Sequence, residues 1–256
     1  MNKSLKEYTW QEHLQSLRNK IIIIVIFFFI SLLIGVFLAK PIFNILRESP
    51  FVPNNINWNV FNPSDVFGVY LKFSFIFALF ISIPIAIYNI IRYISPGLYK
   101  EEITKLYYIL FGSVFLTVAG ICFTYYVILP STFSFITYLN QDLGFNETYG
   151  VNQFFSFVFN VTLAITIIFQ FPLIIVLLTS LGLINPYQLV KLRKHAYFTL
   201  LFVSCVVTPP DPIMDALVAI PLFSLYEVSL LISKVVYKRH FNKKKKYIES
   251  IKEVID

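Results

Sequence analysis

Charge is what this sequence has least of. Only 14% of its 256 residues are charged, where a soluble domain carries about a quarter. With 57% hydrophobic residues and a mean hydropathy of +0.71, the chain does not fit a soluble class. Cysteine is nearly absent: Cys122 and Cys205 sit inside apolar runs, without CxxC spacing or neighbouring ligands. That excludes a disulfide framework and a thiolate metal site, and leaves both as small apolar fillers. The three histidines, His13, His195 and His240, fall in basic segments with no metal spacing and no nucleophile partner. Glycine is scarce, at 8 residues, and none forms a phosphate-cradling loop. No enzymatic activity, cofactor, metal or nucleic-acid partner is therefore expected.

What is abundant is uninterrupted apolar sequence. Six hydrophobic segments are read at 21–39, 69–91, 106–129, 154–181, 196–207 and 216–232. The first four match the roughly 20 residues that cross about 30 Å of hydrocarbon, and helix is the form that satisfies its own backbone in lipid. The last two are short. They flank the turn Thr208-Pro209-Pro210-Asp211-Pro212 and read as a tight helical hairpin, either re-entrant or crossing a thinned bilayer. About twenty polar residues precede the first run and no small-residue cleavage site follows it, so no cleaved signal peptide is expected. The fold class is thus all-α: a polytopic membrane protein of six transmembrane helices. A single membrane domain is expected over 1–256, with an interfacial segment at 1–20, a bundle at 21–233 and a basic tail at 234–256.

Placement of the basic residues orients the bundle. Lys3, Lys6, Arg18 and Lys20 precede the first run; Arg92, Lys100 and Lys105 follow the second; Lys191, Arg193 and Lys194 follow the fourth. The tail carries Lys234, Lys238, Arg239, Lys252 and the lysine run 243–246, a solvated anchor toward anionic headgroups. The first alternate loop holds only Lys40 and Arg47. Both termini are accordingly expected on the cytoplasmic side or its organellar equivalent. That requires an even number of crossings, which makes the two short segments a pair.

Function must reside in polar groups held in or at the membrane. After the second run, Pro96 and Gly97 turn the chain, and Glu101 and Glu102 follow in a loop that is otherwise basic. They read either as acids suited to a helix N-terminus or as a carboxylate site for a cationic partner. Trp10, Leu14, Leu17 and Ile21 recur at helical spacing and form an apolar face suited to the interface. Glu12 and Ser16 stand one turn apart on another face, and Arg18 lies at the membrane boundary. Gln170, in Phe169-Gln170-Phe171-Pro172, is read as the only clearly polar residue at depth and wants a partner on another helix. Glu227 in the sixth segment is an ionisable candidate, while Asp211 and Asp215 at the far hairpin can simply be solvated.

In this order, residues 10–235 resemble the TatC family, the multi-spanning subunits of twin-arginine protein translocases. His13-Leu14-Gln15-Ser16-Leu17-Arg18 resembles the family's HLxELR entry, and Ser95-Pro96-Gly97-Leu98-Tyr99 with Glu102 resembles its PgLYxxE loop. Phe169-Gln170-Phe171-Pro172 resembles F(E/Q)xP. Thr208-Pro209-Pro210-Asp211, Ala219-Ile220-Pro221 and Leu225-Tyr226-Glu227 resemble its C-terminal hairpin. Pro50 and the Pro84…Tyr88 element also fit. The resemblance implies a receptor that binds signal peptides bearing consecutive arginines and recruits single-span TatA/TatB-like partners, so that folded cargo crosses an energised membrane. It implies signal-peptide roles for Glu102, Glu101, Arg18, Glu12 and Ser16, and partner-helix contacts at Gln170, Phe169 and Pro172. Hairpin roles would fall to Pro209, Pro210, Asp211, Asp215, Tyr226 and Glu227, and turns to Pro50, Pro96 and Gly97. A homo-oligomer in the lipid bilayer is expected. One departure stands out: the family's glutamate in HLxELR is Ser16 here, for which Glu12 can substitute. The alternative is a six-helix secondary transporter or ion-conducting subunit. The 28 Phe and 16 Tyr, with abundant Ile and Lys, suggest an AT-rich genome. A mitochondrial inner membrane is therefore the first expectation, ahead of a bacterial plasma membrane or a plastid thylakoid membrane.

Overall fold

Helix breakers, more than the ends of apolar runs, decide where the elements of this chain stop. The computed structural model describes residues 10–52, 57–94, 100–145, 148–180, 182–207 and 212–255, with side chains over 14–52, 58–93, 108–145, 148–180, 182–207 and 215–238. The chain falls into two compact units, residues 1–163 and 164–256.

In the first unit, helix α1 (Trp10–Arg47) runs for 38 residues. No break separates the N-terminal segment from the span that follows, because no proline interrupts the helix before Pro41. Helix α2 (Asp65–Ile94) packs along it through two stripes of small residues. Ser31, Gly35 and Ala39 on α1 are buried, as are Ser74, Ala78 and Ser82 on α2. A Cβ built on Gly35 would stand 2.9 Å from the Cα of Ser74, so the two backbones approach as closely as only glycine allows. This is how apolar helices associate where lipid removes the hydrophobic drive between them.

Helix α3 (Lys100–Phe123) passes through a π turn (Thr124–Ile128) directly into α4 (Leu129–Asp142). The apolar run expected to end at residue 129 therefore continues as helix to Asp142. Pro130 lacks an N–H and its ring would crowd the carbonyl four residues back. The wider turn relieves that clash, with the Leu129 N–H donating to the Thr124 carbonyl five residues back. The helix ends at Gly144, whose φ is 71°; the Phe145 N–H caps the Asn140 carbonyl at 2.8 Å.

Two short strands, β1 (Asn57–Asn59) and β2 (Thr148–Gly150), pair in parallel with Trp58 opposite Tyr149. This small bridge, the one pair of strands among the described residues, was not visible in the sequence pattern. It leads into α5 (Val151–Phe169) and closes an aromatic core. Phe43 stacks on Phe155 at 4.1 Å, Phe51 on Phe133 at 5.6 Å, and the Trp58 ring meets Phe154 edge-on at 5.0 Å. Pro50 sits exposed in the turn after α1, just before Phe51 and Val52 of this core.

In the second unit, α6 (Phe171–Ser180) lies against α9 (Pro212–Ile255), and the hydroxyls of Thr179 and Ser233 share a buried hydrogen bond of 2.6 Å. Gly182, with φ 71°, ends α6. Asn185 caps α7 (Pro186–Lys191), accepting from the Tyr187 N–H at 3.0 Å. Helix α8 (Arg193–Val207) precedes the hairpin. Of the two final helices expected to be short, α8 has 15 residues, whereas α9 has 44. Past the apolar stretch, α9 meets no proline or glycine, and its Lys, Arg and Glu are good helix formers.

Among the described residues, five helices are long and apolar enough to cross a bilayer: Leu14–Arg47, Asp65–Tyr93, Tyr108–Asp142, Val151–Ser180 and Asp215–Lys238. At 15 residues, α8 reaches about 22 Å and is not among them. Phe37, Phe111 and Phe115 are 82%, 75% and 72% exposed; large apolar surface of this kind belongs against lipid rather than water.

Candidate functional site

The expected signal-binding residues come from the first turns of two helices. Glu12 lies in the first turn of α1, and Glu101 and Glu102 in the first turn of α3. Their side chains lie outside the described residues, as do Pro96, Gly97, Pro209, Pro210 and Asp211. Ser16 is half-buried on α1, one turn after Glu12, and Arg18 is exposed.

Gln170 sits at the break between α5 and α6. Pro172 causes that break, since its missing N–H and its ring are incompatible with an unbroken helix. The Gln170 carbonyl is reused, accepting from the Leu173 and Ile174 N–H groups at 3.0 and 3.2 Å. Phe169 and Gln170 are 6% and 5% exposed and Pro172 is buried. The groups that open outward here are Ile167, Phe171 and Ile174.

Glu227 is held by two partners on α8. Arg193 Nη2 donates to its Oε2 at 2.6 Å, and the Tyr197 hydroxyl donates to its Oε1. Next to it, the buried Tyr226 donates its hydroxyl to the Leu189 carbonyl at 3.1 Å, fastening α7 to α9. Ile168, Phe171, Pro172, Leu200, Leu222 and Tyr226 line a shallow apolar recess in the same unit. Asp215 Oδ2 accepts from the Cys205 thiol at 3.2 Å, linking the two arms of the hairpin.

A second polar network escaped the sequence reading, in which Gln170 was the only clearly polar residue at depth. Lys72 is the one charge between Asp65 and Arg92, and the surrounding apolar run masked it. Its ammonium donates to Ser156 Oγ at 2.6 Å and to Asn152 Oδ1 at 3.3 Å on α5. Counting charges within each span would have found it. No group of three or more His, Cys, Asp or Glu residues that could hold a metal occurs among the described residues.

Long apolar helices with lipid-suited surfaces, packed through small residues and carrying only a few polar clusters, define a polytopic α-helical membrane protein. The family profile described as Sec-independent protein translocase protein (TatC) matches residues 12–221. The TatCy protein of Bacillus subtilis (strain 168) is 38% identical over 228 residues, covering 89% of this chain and 89% of its own length. The TatC protein of Aquifex aeolicus (strain VF5) is 31% identical over 235 residues, covering 89% and 95%. The crystal structure of a twin arginine translocase receptor, TatC, in DDM superposes with a TM-score of 0.75 at 31% identity, covering 87% of this chain and 99% of that one. The chain belongs to the TatC family. It is a subunit of the Sec-independent protein translocase, working with other components of that system in the lipid bilayer; the solute-transporter alternative is not favoured.

Proposed function

We propose that this chain is the receptor that captures twin-arginine signal peptides at the face bearing the first turns of α1 and α3. The observation that carries the reading is the acidic pair Glu101 and Glu102 at the start of α3, in a segment otherwise basic through Arg92, Lys100 and Lys105. A guanidinium grips a carboxylate through two parallel hydrogen bonds, which lysine cannot reproduce. An exposed pair contributes only about 0–1 kcal/mol, so useful affinity needs partial desolvation at the interface and burial of the signal's apolar stretch. Glu12 stands in for the family glutamate replaced by Ser16, with Arg18 bordering the site.

Single-span TatA/TatB-like subunits dock through the outward residues Ile167, Phe171 and Ile174 around the Gln170 break, with Phe169 and Pro172 shaping the backbone behind them. The hairpin of Pro209, Pro210, Asp211 and Asp215, braced by Tyr226 and Glu227, sets the register of the last two helices. Pro50, Pro96 and Gly97 turn the chain between spans. The whole chain acts as one six-span membrane domain with both termini on the cytoplasmic side, and it assembles as a homo-oligomer. The named relatives are bacterial, which supports the bacterial plasma membrane over the mitochondrial inner membrane as its home.

The test is binding of an Arg-Arg signal peptide, against its Lys-Lys counterpart, to the chain in nanodiscs. Arg-Arg should bind at least roughly tenfold more tightly, corresponding to about 1.4 kcal/mol, and Glu102→Gln should erase the preference. If Glu12→Gln leaves binding unchanged while Glu102→Gln abolishes it, Glu12 is not the substitute. Equal binding of both peptides to the wild-type chain overturns the reading.

A further inference from the structure

Lys72 lies seven residues into α2 from Asp65, about 10 Å along the axis, within the span Asp65–Tyr93. A lysine there is costly unless its ammonium reaches the interface or finds partners. It is exposed at the protein surface, yet it does not simply extend toward water. It is tied sideways to α5, to Asn152 in the first turn and to Ser156 one turn deeper.

Following the protons makes the site's charge explicit. The ammonium donates to both Ser156 Oγ and Asn152 Oδ1, and the Ser156 hydroxyl donates on to Asn152 Oδ1 at 3.1 Å. The Asn152 amide N–H in turn points to Asp65 Oδ1 at a long 3.5 Å. Asp65, 4% exposed, takes its remaining bonds from the backbone N–H groups of Phe61 and Asn62 at 3.1 and 3.0 Å. Neutral donors therefore surround the anion and neutral acceptors hold the cation. No carboxylate pairs with Lys72 among the described residues. An ammonium has three N–H donors, and two acceptors are found for it here. One donor and the full positive charge are left facing outward, at the level of the first turns of α5.

We infer that Lys72, Asn152 and Ser156 form a binding site for the phosphate of an anionic phospholipid, in the leaflet opposite the basic 92–105 segment. The depth is that of the headgroup and glycerol region, where a lipid phosphate supplies the missing acceptor and charge. The exposed Phe75 on α2, about one turn deeper than Lys72, offers apolar surface for an acyl chain below it, and Leu71 flanks the ammonium. This site is separate from signal-peptide capture and does not depend on it.

The experiment is native mass spectrometry of the full chain in detergent, titrated with phosphatidylglycerol or phosphatidylcholine. Wild type and Lys72→Arg should retain one more phosphatidylglycerol than Lys72→Gln, and phosphatidylcholine should not distinguish the three chains. In parallel, phosphatidylglycerol with a photoreactive headgroup is crosslinked to the wild-type chain and should mark peptides covering 66–76 or 150–158. That arm decides the matter if Lys72→Gln does not fold. Equal phosphatidylglycerol retention by all three chains overturns the inference, as does headgroup crosslinking confined to other peptides. Displacement of the lipid by millimolar inorganic phosphate would reassign the site to a soluble anion and overturn it too.

Discussion

At the scale of single residues, the ion pair on α8 and α9 has a definite physical role. Arg193 and Glu227 have side chains 38% and 33% exposed, so the pair lies between a screened surface bridge and a fully desolvated one. Tyr197 adds a third member, and the Arg193 Nε is buried with no acceptor among the described residues. The guanidinium is therefore committed to Glu227. Removing it leaves a half-buried carboxylate with one neutral donor, and hydrogen bonds to charged groups are worth about 1.5–3 kcal/mol. Arg193→Gln should lower thermal stability in detergent by roughly that amount, and Glu227→Gln by less, because its amide oxygen still accepts from Arg193 while its N–H donates to the Tyr197 hydroxyl, which can also accept. The exchanged pair Arg193→Glu with Glu227→Arg should recover part of the loss. If the exchanged pair is no more stable than either single change, the residues do not act as a pair. Glu227 then reverts to the role of an ionisable functional group that its position in a span first suggested.

At the scale of elements, the closest packing in the first unit is carried by the smallest side chains. With Ser74 Cα only 2.9 Å from a Cβ built on Gly35, a larger residue must push α1 away from α2 along the whole Ser31, Gly35, Ala39 stripe. Gly35→Leu should destabilise the chain by about 1–3 kcal/mol, the usual cost of overpacking, while Phe37→Leu on the lipid face should be nearly neutral. Thermal unfolding of the two variants in one detergent checks this. An undisturbed Gly35→Leu would mean that the two helices are not held at this distance. The same contrast explains which elements were legible beforehand. Long apolar runs announced the helices, because lipid demands them wherever they occur. The Gly35 contact, the Trp58–Tyr149 strand bridge and the Lys72 network depend on residues 39 to 91 positions apart in the chain, and no local pattern encodes such meetings. The apolar run read as ending at residue 129 continues as helix, because a π turn absorbs Pro130, an adjustment that run length does not encode. The signal-binding glutamates were legible as an acidic interruption of a basic segment. Lys72, a lone cation inside an apolar run, was not.

At the scale of the whole molecule, helix lengths and basic residues together decide how the chain threads the bilayer. Five helices are long enough to cross, and α8 at 15 residues falls short. Yet the basic residues gathered within 3–20, around the α2–α3 junction (Arg92, Lys100, Lys105) and within 191–194 call for alternation of sides. An odd number of crossings would carry the lysine-rich tail to the wrong face, against the attraction of its cations to an anionic cytoplasmic leaflet. The deficit of α8, about 22 Å against a core of about 30 Å, is of a size that local thinning accommodates at a fraction of a kcal/mol per Å. Crossing by α8 is therefore cheaper than moving the tail. In a Cys122→Ser, Cys205→Ser background, single cysteines at Asn62→Cys, Leu143→Cys and Asp211→Cys should react with a membrane-impermeant maleimide added outside intact cells. Leu192→Cys and Lys246→Cys should react only after the membrane is opened. Protection of Asp211→Cys from the outside, with the other four unchanged, would make the hairpin re-entrant. It would leave the tail on the cytoplasmic side with four crossings, and α9 would then have to return to the face it left despite an apolar stretch, Asp215–Lys238, long enough to span.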